Sequence, residues 1–138
     1  MGLQWREGLS VGNDLIDSDH KHLIGIINLA DQSLQTKDQP GLAAALDQLV
    51  GYSKTHFFRE EKIAAAVDFP STSELHQSHE LLLKGLDQQK QELGTDWTDE
   101  AGERFGVFLR GWLINHVIKE DLLMKPFLKK HSPQFDPT

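Results

Sequence analysis

Residues 38–67 read DQPGLAAALDQLVGYSKTHFFREEKIAAAV and decide the fold. Hydrophobic residues in this stretch recur at steps of three and four, the spacing that gives an α-helix one buried face. The residues on that face are Leu46, Leu49, Ser53, His56, Glu60 and Ile63. Proline is tolerated in a first helical turn and disfavours the helical conformation in the residue before it. We therefore expect a long amphipathic helix that restarts the chain at Lys37-Asp38-Gln39-Pro40, continues to about Val67 and ends before Phe69-Pro70.

Three further stretches have the same helical period. They run over about 18–36, 71–93 and 98–126. Asp17 is suited to cap the first of these helices and Thr98 the last. Ser71-Thr72-Ser73-Glu74 has the spacing of a capping box, which predicts the start of the remaining one. Pro126 is expected to stop or kink the last helix.

No part of the sequence alternates with period two for long enough to predict a strand. The connections between the four stretches are short, and short connections favour antiparallel neighbours. The sequence therefore predicts an all-α protein, an up-down-up-down antiparallel four-helix bundle with an N-terminal arm and a short C-terminal tail. Its 138 residues fit a single domain, 1–138.

Composition excludes several classes of protein. The formal net charge of -7 argues against nucleic-acid binding, which depends on clustered Lys and Arg. No apolar run approaches the roughly 20 residues that span a bilayer, and residues 1–7 lack the features of a secretory signal. The sequence has no cysteine, so disulfides, thiolate metal ligands and a cysteine nucleophile are excluded. We expect a cytoplasmic protein with no nucleic-acid or membrane partner.

Ionisable side chains occupy the apolar faces of all four predicted helices. They are His20, His56, Glu60, His79, His116 and Asp121. Burying them together costs roughly several kcal/mol for each unpaired charge, and these faces carry no matching Lys or Arg, so a bound cation is predicted. Imidazole and carboxylate ligands without sulfur suit iron, manganese or zinc. Six ligands are too many for one catalytic zinc and suit two metals, which Glu60 and Asp121 can bridge.

The spacing of these residues predicts a local irregularity. Glu60 follows His56 by four residues, so the two side chains lie on the same side of a helix. Asp121 follows His116 by five, which is about 140° out of phase on a regular helix. We therefore expect a π-bulge, or a loosened last turn before Pro126, to bring both toward one site.

Three motifs make the chain resemble the bacteriohemerythrins over nearly its whole length. The first is the arm 5–12 followed by IDSDHKHL at 16–23. The second is HFFREE at 56–61, and the third is WLINHVIKED at 112–121. The resemblance implies two iron ions, bridged by an oxo or hydroxo group and by Glu60 and Asp121. It also implies reversible binding of dioxygen, as an oxygen carrier, store or sensor.

The resemblance further implies how the histidines divide between the irons. His20 and His56 serve one iron, and three histidines of the third and fourth helices serve the other. His79 and His116 match two of those three positions, but the remaining one is Leu75 in this chain. His76, one residue later, is a candidate replacement, and the alternatives are Glu80, water or an exogenous ligand. Leu113, one turn before His116, matches the leucine that lines the oxygen pocket in relatives, although core packing explains it equally well.

The same residues allow alternatives to oxygen binding. An under-coordinated iron would favour oxidase or peroxidase activity, and an oxygen- or redox-sensing module with a signalling partner is a further alternative. A ferritin-like oxidase is disfavoured because such bundles use Glu-x-x-His pairs, and no histidine here follows a glutamate by three residues. A zinc protease is disfavoured because the sequence lacks His-Glu-x-x-His. We expect an oxygen-binding protein in preference to an enzyme.

Overall fold

Four long helices make up most of the chain in the computed structural model, which describes residues 2–137. They are α1 (Asp14–Gln35), α2 (Gln39–Ala66), α3 (Thr72–Leu93) and α4 (Asp99–Gly111). After α4 the helix continues as a π-helix (Trp112–Ile118), a short α5 (Lys119–Asp121), a 3-10 turn (Leu122–Met124) and α6 (Lys125–Leu128). A further 3-10 turn, Glu7–Leu9, lies in the N-terminal arm. No strand occurs within residues 2–137, which confirms the predicted all-α fold.

The start of α1 differs from the prediction. Asn13 caps the helix, because its side chain accepts hydrogen bonds from the backbone N–H groups of Leu15 and Ile16. Asp17 lies inside the helix and instead holds the N-terminal arm, where it accepts hydrogen bonds from Ser10 Oγ and the Val11 N–H. The prediction of Asp17 as the cap was therefore wrong by one helical turn.

Side chains cap two of the other three long helices. Asp38 accepts a hydrogen bond from the Gly41 N–H at the start of α2, and Thr98 caps α4 through the Ala101 N–H as predicted. Ser71 precedes α3 but makes no side-chain cap bond, so the predicted capping box is not formed. Capping groups of this kind satisfy N–H donors that have no partner within the helix.

The helices pack as neighbours around a square. α1 contacts α2 and α4, and α3 contacts the same two helices from the opposite side. This is the arrangement of an up-down-up-down four-helix bundle. Two tryptophans donate hydrogen bonds to helix backbones. Trp97 Nε1, in the loop before α4, donates to the Leu34 carbonyl of α1, and Trp112 Nε1 donates to the Leu82 carbonyl of α3. Within the described part of the chain, every helix is too short or too polar to cross a bilayer.

The hydrophobic core has two parts, and ionisable residues lie between them. The upper core includes Leu23, Phe57, Leu82 and Ile118, and the lower core includes Ile16, Ile63, Leu75 and Met124. Each helix places an ionisable side chain between its contributions to the two cores; these residues are His20, His56 with Glu60, His79 and Asp121. Apolar side chains therefore cover the candidate site from both ends of the bundle.

Candidate metal centre

Four ionisable side chains from three helical segments meet in the middle of the bundle. They are His20, His56, Glu60 and Asp121, each at most 1% exposed. One nitrogen or oxygen of each lies within 4.8 Å of those of the other three. His20 Nε2 is 2.8 Å from Asp121 Oδ2, and His56 Nε2 is 3.0 Å from Glu60 Oε2. Metal-to-ligand bonds of about 2.0–2.2 Å fit inside a group of this size.

Several polar atoms of this buried group have no hydrogen-bond partner. Unpartnered atoms include His56 Nε2, Glu60 Oε2 and Asp121 Oδ1. Buried polar atoms are nearly always paired, because leaving one unpaired costs about 1–3 kcal/mol. No Lys or Arg is fully buried within residues 2–137. A cation at the centre of the group would satisfy all three atoms, so the donors present fit a metal ion.

Asp19 orients the His56 ring toward this group. Its Oδ2 accepts a hydrogen bond from His56 Nδ1 at 2.9 Å, which leaves Nε2 facing Glu60. Tyr52 Oη and Arg59 Nη1 each donate to the Asp19 carboxylate at 2.8 Å. A carboxylate behind a histidine fixes its tautomer and orientation when the other nitrogen binds a metal.

Sequence reasoning missed Asp19. Its only signal was its position next to His20, and adjacent residues on a helix diverge by about 100°. The contact with His56 depends on how α1 and α2 pack against each other, and the hydrophobic periodicity of a single helix does not reveal that packing. Although burial raises the pKa of Asp19, its hydrogen bonds with His56 and Tyr52 hold that pKa below the ordinary value. Burial and the Asp19 carboxylate raise the pKa of Tyr52 to about 12, so the phenol remains a donor.

The pKa values within the group are strongly displaced. Burial alone would lower the pKa of His56, but the Glu60 carboxylate and the Asp19 hydrogen bond outweigh it and raise the value to about 9. Burial lowers the pKa of His20. Burial and the nearby Glu60 charge raise the pKa of Asp121 well above its usual range. Burial alone would also raise the pKa of Glu60, but the adjacent Asp121 carboxyl group and the His56 charge hold that pKa well below its usual range. Displacement of this kind is typical of functional sites.

His79 borders the group from α3. Its Nε2 lies 3.0 Å from Glu60 Oε1, and its Nδ1 lies 2.8 Å from Glu61 Oε2. The Phe57 ring stacks on the imidazole with a centroid separation of 4.0 Å. His79 therefore contacts the carboxylate of Glu60 on the side away from His56, and both of its nitrogens have protein partners.

Comparison with known proteins identifies the family. The model of the hemerythrin HHE cation binding domain matches residues 11–128. The chain belongs to the hemerythrin family. Three relatives extend this match.

A bacteriohemerythrin of Pseudomonas paraeruginosa is 28% identical over 123 residues, 86% of this chain and 76% of the relative. A bacteriohemerythrin of Stenotrophomonas maltophilia is 26% identical over 135 residues, 96% of this chain and 86% of the relative. A hemerythrin-like protein of Naegleria gruberi is 27% identical over 124 residues, 90% of this chain and 92% of the relative. Together with the buried His, Glu and Asp side chains, these matches support a non-haem iron-binding domain.

This hemerythrin-family chain does not bring position 75 or 76 of α3 to the site. Leu75 is 5% exposed and packs in the lower core. The side chain of His76 is 57% exposed, with Nδ1 2.6 Å from Glu61 Oε1 and Nε2 2.9 Å from Glu80 Oε1. Its contact with Glu61 raises the pKa of His76. The structure therefore contradicts the suggestion that His76 or Glu80 replaces the missing ligand.

The structure also corrects the expectation for His116, which is exposed and lies outside the buried group. The predicted π-helix is present, but it does not turn both His116 and Asp121 inward. Leu113, Val117 and Asp121 follow one another at intervals of four and are fully buried. His116, three residues after Leu113, is exposed, because the wider turn of the π-helix does not return a third residue to the inner face. His116 instead lines a surface cleft of about 660 Å³ between α3 and the fourth helix.

Proposed function

We propose that this hemerythrin-family chain binds non-haem iron between His20, His56, Glu60 and Asp121, and that dioxygen binds reversibly at that iron. The observation that carries the proposal is the convergence of two imidazoles and two carboxylates, all buried and within 4.8 Å of one another. A bound cation gives these groups the partner that no buried Lys or Arg within residues 2–137 provides.

The donor chemistry supports iron. Two histidines with a carboxylate are characteristic ligands of non-haem ferrous iron, and they leave coordination positions open for an exogenous ligand. Manganese and zinc also accept nitrogen and oxygen ligands. The relatives named bacteriohemerythrin and hemerythrin-like protein favour iron among these three metals.

The surroundings of the group support dioxygen as the exogenous ligand. The upper and lower cores cover the site with apolar side chains, which favour a small apolar molecule over water. Leu113 is completely buried in the upper core, and we assign it to the wall of the oxygen pocket. Ferrous iron, when bound, supplies the electrons that dioxygen binding requires. The protein holds the ligands in place and keeps the surroundings dry.

The test combines metal content with a spectrum. The protein is loaded with ferrous iron under argon, desalted and analysed for iron by mass spectrometry, and its visible spectrum is recorded before and after exposure to air. We expect bound iron and an absorption change on air exposure that reverses when oxygen is removed.

Two variants provide the comparison. His56→Gln removes a buried ligand and should abolish iron binding and the spectral change. His131→Gln changes a histidine of the C-terminal tail, where its ring lies tilted against the Phe135 ring, and should leave both unaltered. The proposal would be overturned by a protein that takes up zinc but no iron. It would also be overturned by an iron-loaded protein whose visible spectrum does not change on exposure to air.

A further inference from the structure

We infer that the chain holds one metal ion in its bundle, and not the pair of irons that resemblance to the bacteriohemerythrins implies. This inference rests on the proposed function and specifies the number of ions at the same site. It follows from an unequal distribution of ligands. The residues of α1 and α2, with Asp121, form a complete set around one ion, whereas α3 and the π-helix leave a second ion almost without ligands.

The complete set has independent support from position and orientation. His20, His56, Glu60 and Asp121 lie within 4.8 Å of one another and are all buried. Asp19 holds the His56 ring with its free nitrogen toward Glu60. Two imidazoles and two carboxylates are enough to bind a single ferrous ion and still leave it an open position.

On α3, the expected pair of ligands is reduced to one. Leu75 contributes hydrocarbon to the lower core, where it joins Ile63 and Met124. His76 cannot substitute for it, because the side chain is exposed and each ring nitrogen already contacts a carboxylate of Glu61 or Glu80. A rotation that brought His76 inward would have to displace buried apolar groups.

On the fourth helix, the expected histidine is also absent from the site. The π-helix buries Leu113 and Val117 on the inner face and leaves His116 in the surface cleft. Turning His116 inward would expose part of that apolar face or force the π-helix to shift its register. The loss at position 75 and the outward position of His116 are separate observations, and both remove a ligand from the same ion.

His79 is the one imidazole left for a second ion, and it lies outside the group of four side chains whose ligand atoms converge. Its Nε2 contacts Glu60 Oε1, and its Nδ1 contacts Glu61 Oε2. On the other side of the same carboxylate, Glu60 Oε2 has no hydrogen-bond partner and lies 3.0 Å from His56 Nε2, which also has none. We therefore assign His79 the role of a positioning residue, which holds Glu60 so that Oε2 faces the single ion.

The experiment counts ions and measures their magnetic coupling. The protein is loaded with excess ferrous iron under argon, desalted, quantified by mass spectrometry, and then oxidised for electron paramagnetic resonance; the loading is repeated with zinc. We expect one ion per chain with either metal, and a ferric signal that accounts for all the iron, because an isolated ferric ion has unpaired spin. Two irons per chain, with a resonance-silent coupled pair after oxidation, would overturn the inference.

Matched histidine variants separate the two interpretations. His116→Gln changes an exposed residue and should leave iron content and the resonance signal unaltered, whereas His56→Gln should lose the ion. A fall in iron content in His116→Gln contradicts the inference, because that residue would then be a ligand. Two ions in the unaltered protein overturn only the single-ion inference, while a chain that binds no iron overturns the proposed function as well.

Discussion

Asp19→Asn tests whether a residue that orients a ligand, without itself being one, controls metal binding. Asp19 is 2% exposed and accepts hydrogen bonds from His56 Nδ1, Tyr52 Oη and Arg59 Nη1. An asparagine has the same shape but only one acceptor oxygen. If that oxygen faces Tyr52 and Arg59, the amide NH2 faces His56 Nδ1 and favours the tautomer whose proton lies on Nε2, the nitrogen that should bind the metal.

The size of the effect follows from this geometry. Changes to groups that orient a metal-binding histidine typically weaken metal affinity 10- to 100-fold, or about 1.4–2.7 kcal/mol. The metal-free protein should also lose stability, because hydrogen bonds to a charged group contribute about 1.5–3 kcal/mol each. Arg59 is 34% exposed, so solvent screening keeps its share of this loss small. We expect a total loss of about 2 kcal/mol in the free energy of unfolding.

The assay is a competition titration with a coloured chelator for metal affinity, paired with urea unfolding of the metal-free protein. Asp31→Asn is the matched control, because Asp31 on α1 accepts a hydrogen bond from Arg110 at 2.8 Å. Asp31 follows Asp19 by 12 residues, or about 18 Å along the helix. We expect Asp31→Asn to keep its metal affinity. Wild-type affinity in Asp19→Asn, or equal weakening in both variants, would refute the proposed role of Asp19.

Three further predictions concern protonation and packing. Because the pKa of His56 is about 9 without metal, metal affinity should rise about tenfold per pH unit for each displaced proton up to that pH. Over pH 6.5 to 9, the unfolding free energy of the metal-free protein should fall, because the proton that stabilises the folded state is lost. Metal titrations and urea unfolding across this range check the two trends. Leu113→Ala should cost about 2–5 kcal/mol in urea unfolding because Leu113 is fully buried, whereas the control Leu123→Ala, 65% exposed, should change stability by less than about 0.5 kcal/mol. Gly102→Ala should lower the melting temperature in a thermal scan, because its Cβ would lie 2.9 Å from Trp97 Cδ1 and overpacking costs about 1–3 kcal/mol; an unchanged melting temperature would contradict this packing.

Helical periodicity predicted much of the fold and the convergence of its polar residues. Period and proline positions were sufficient to place α2, since Pro40 and Phe69-Pro70 act locally. The same period brought His56 and Glu60 to one face, four residues apart. The five-residue interval before Asp121 predicted an irregular turn, and a π-helix is present there. These features depend on neighbouring residues along the chain, which the sequence records directly.

Features that depend on packing between helices could not be predicted in this way. A π-bulge changes the phase of a helix, but the interval between His116 and Asp121 does not say which of the two turns inward. The outcome depends on the apolar side chains that compete for the inner face, here Leu113 and Val117. Asp19 was missed for a related reason, because its partner His56 lies on another helix.

The charges of the buried group explain how one site can accommodate both protons and a metal ion. The pKa shifts favour the ionised form of Glu60, the protonated form of His56 and the neutral form of His20, while burial and the Glu60 charge favour the protonated form of Asp121. A divalent ion bound by two ionised carboxylates and two neutral imidazoles forms a group with no net charge. A second divalent ion would leave two uncompensated positive charges between apolar cores unless further anions entered with it, and burying unpaired charge is costly. Charge balance and the positions of Leu75 and His116 therefore favour the same number of ions.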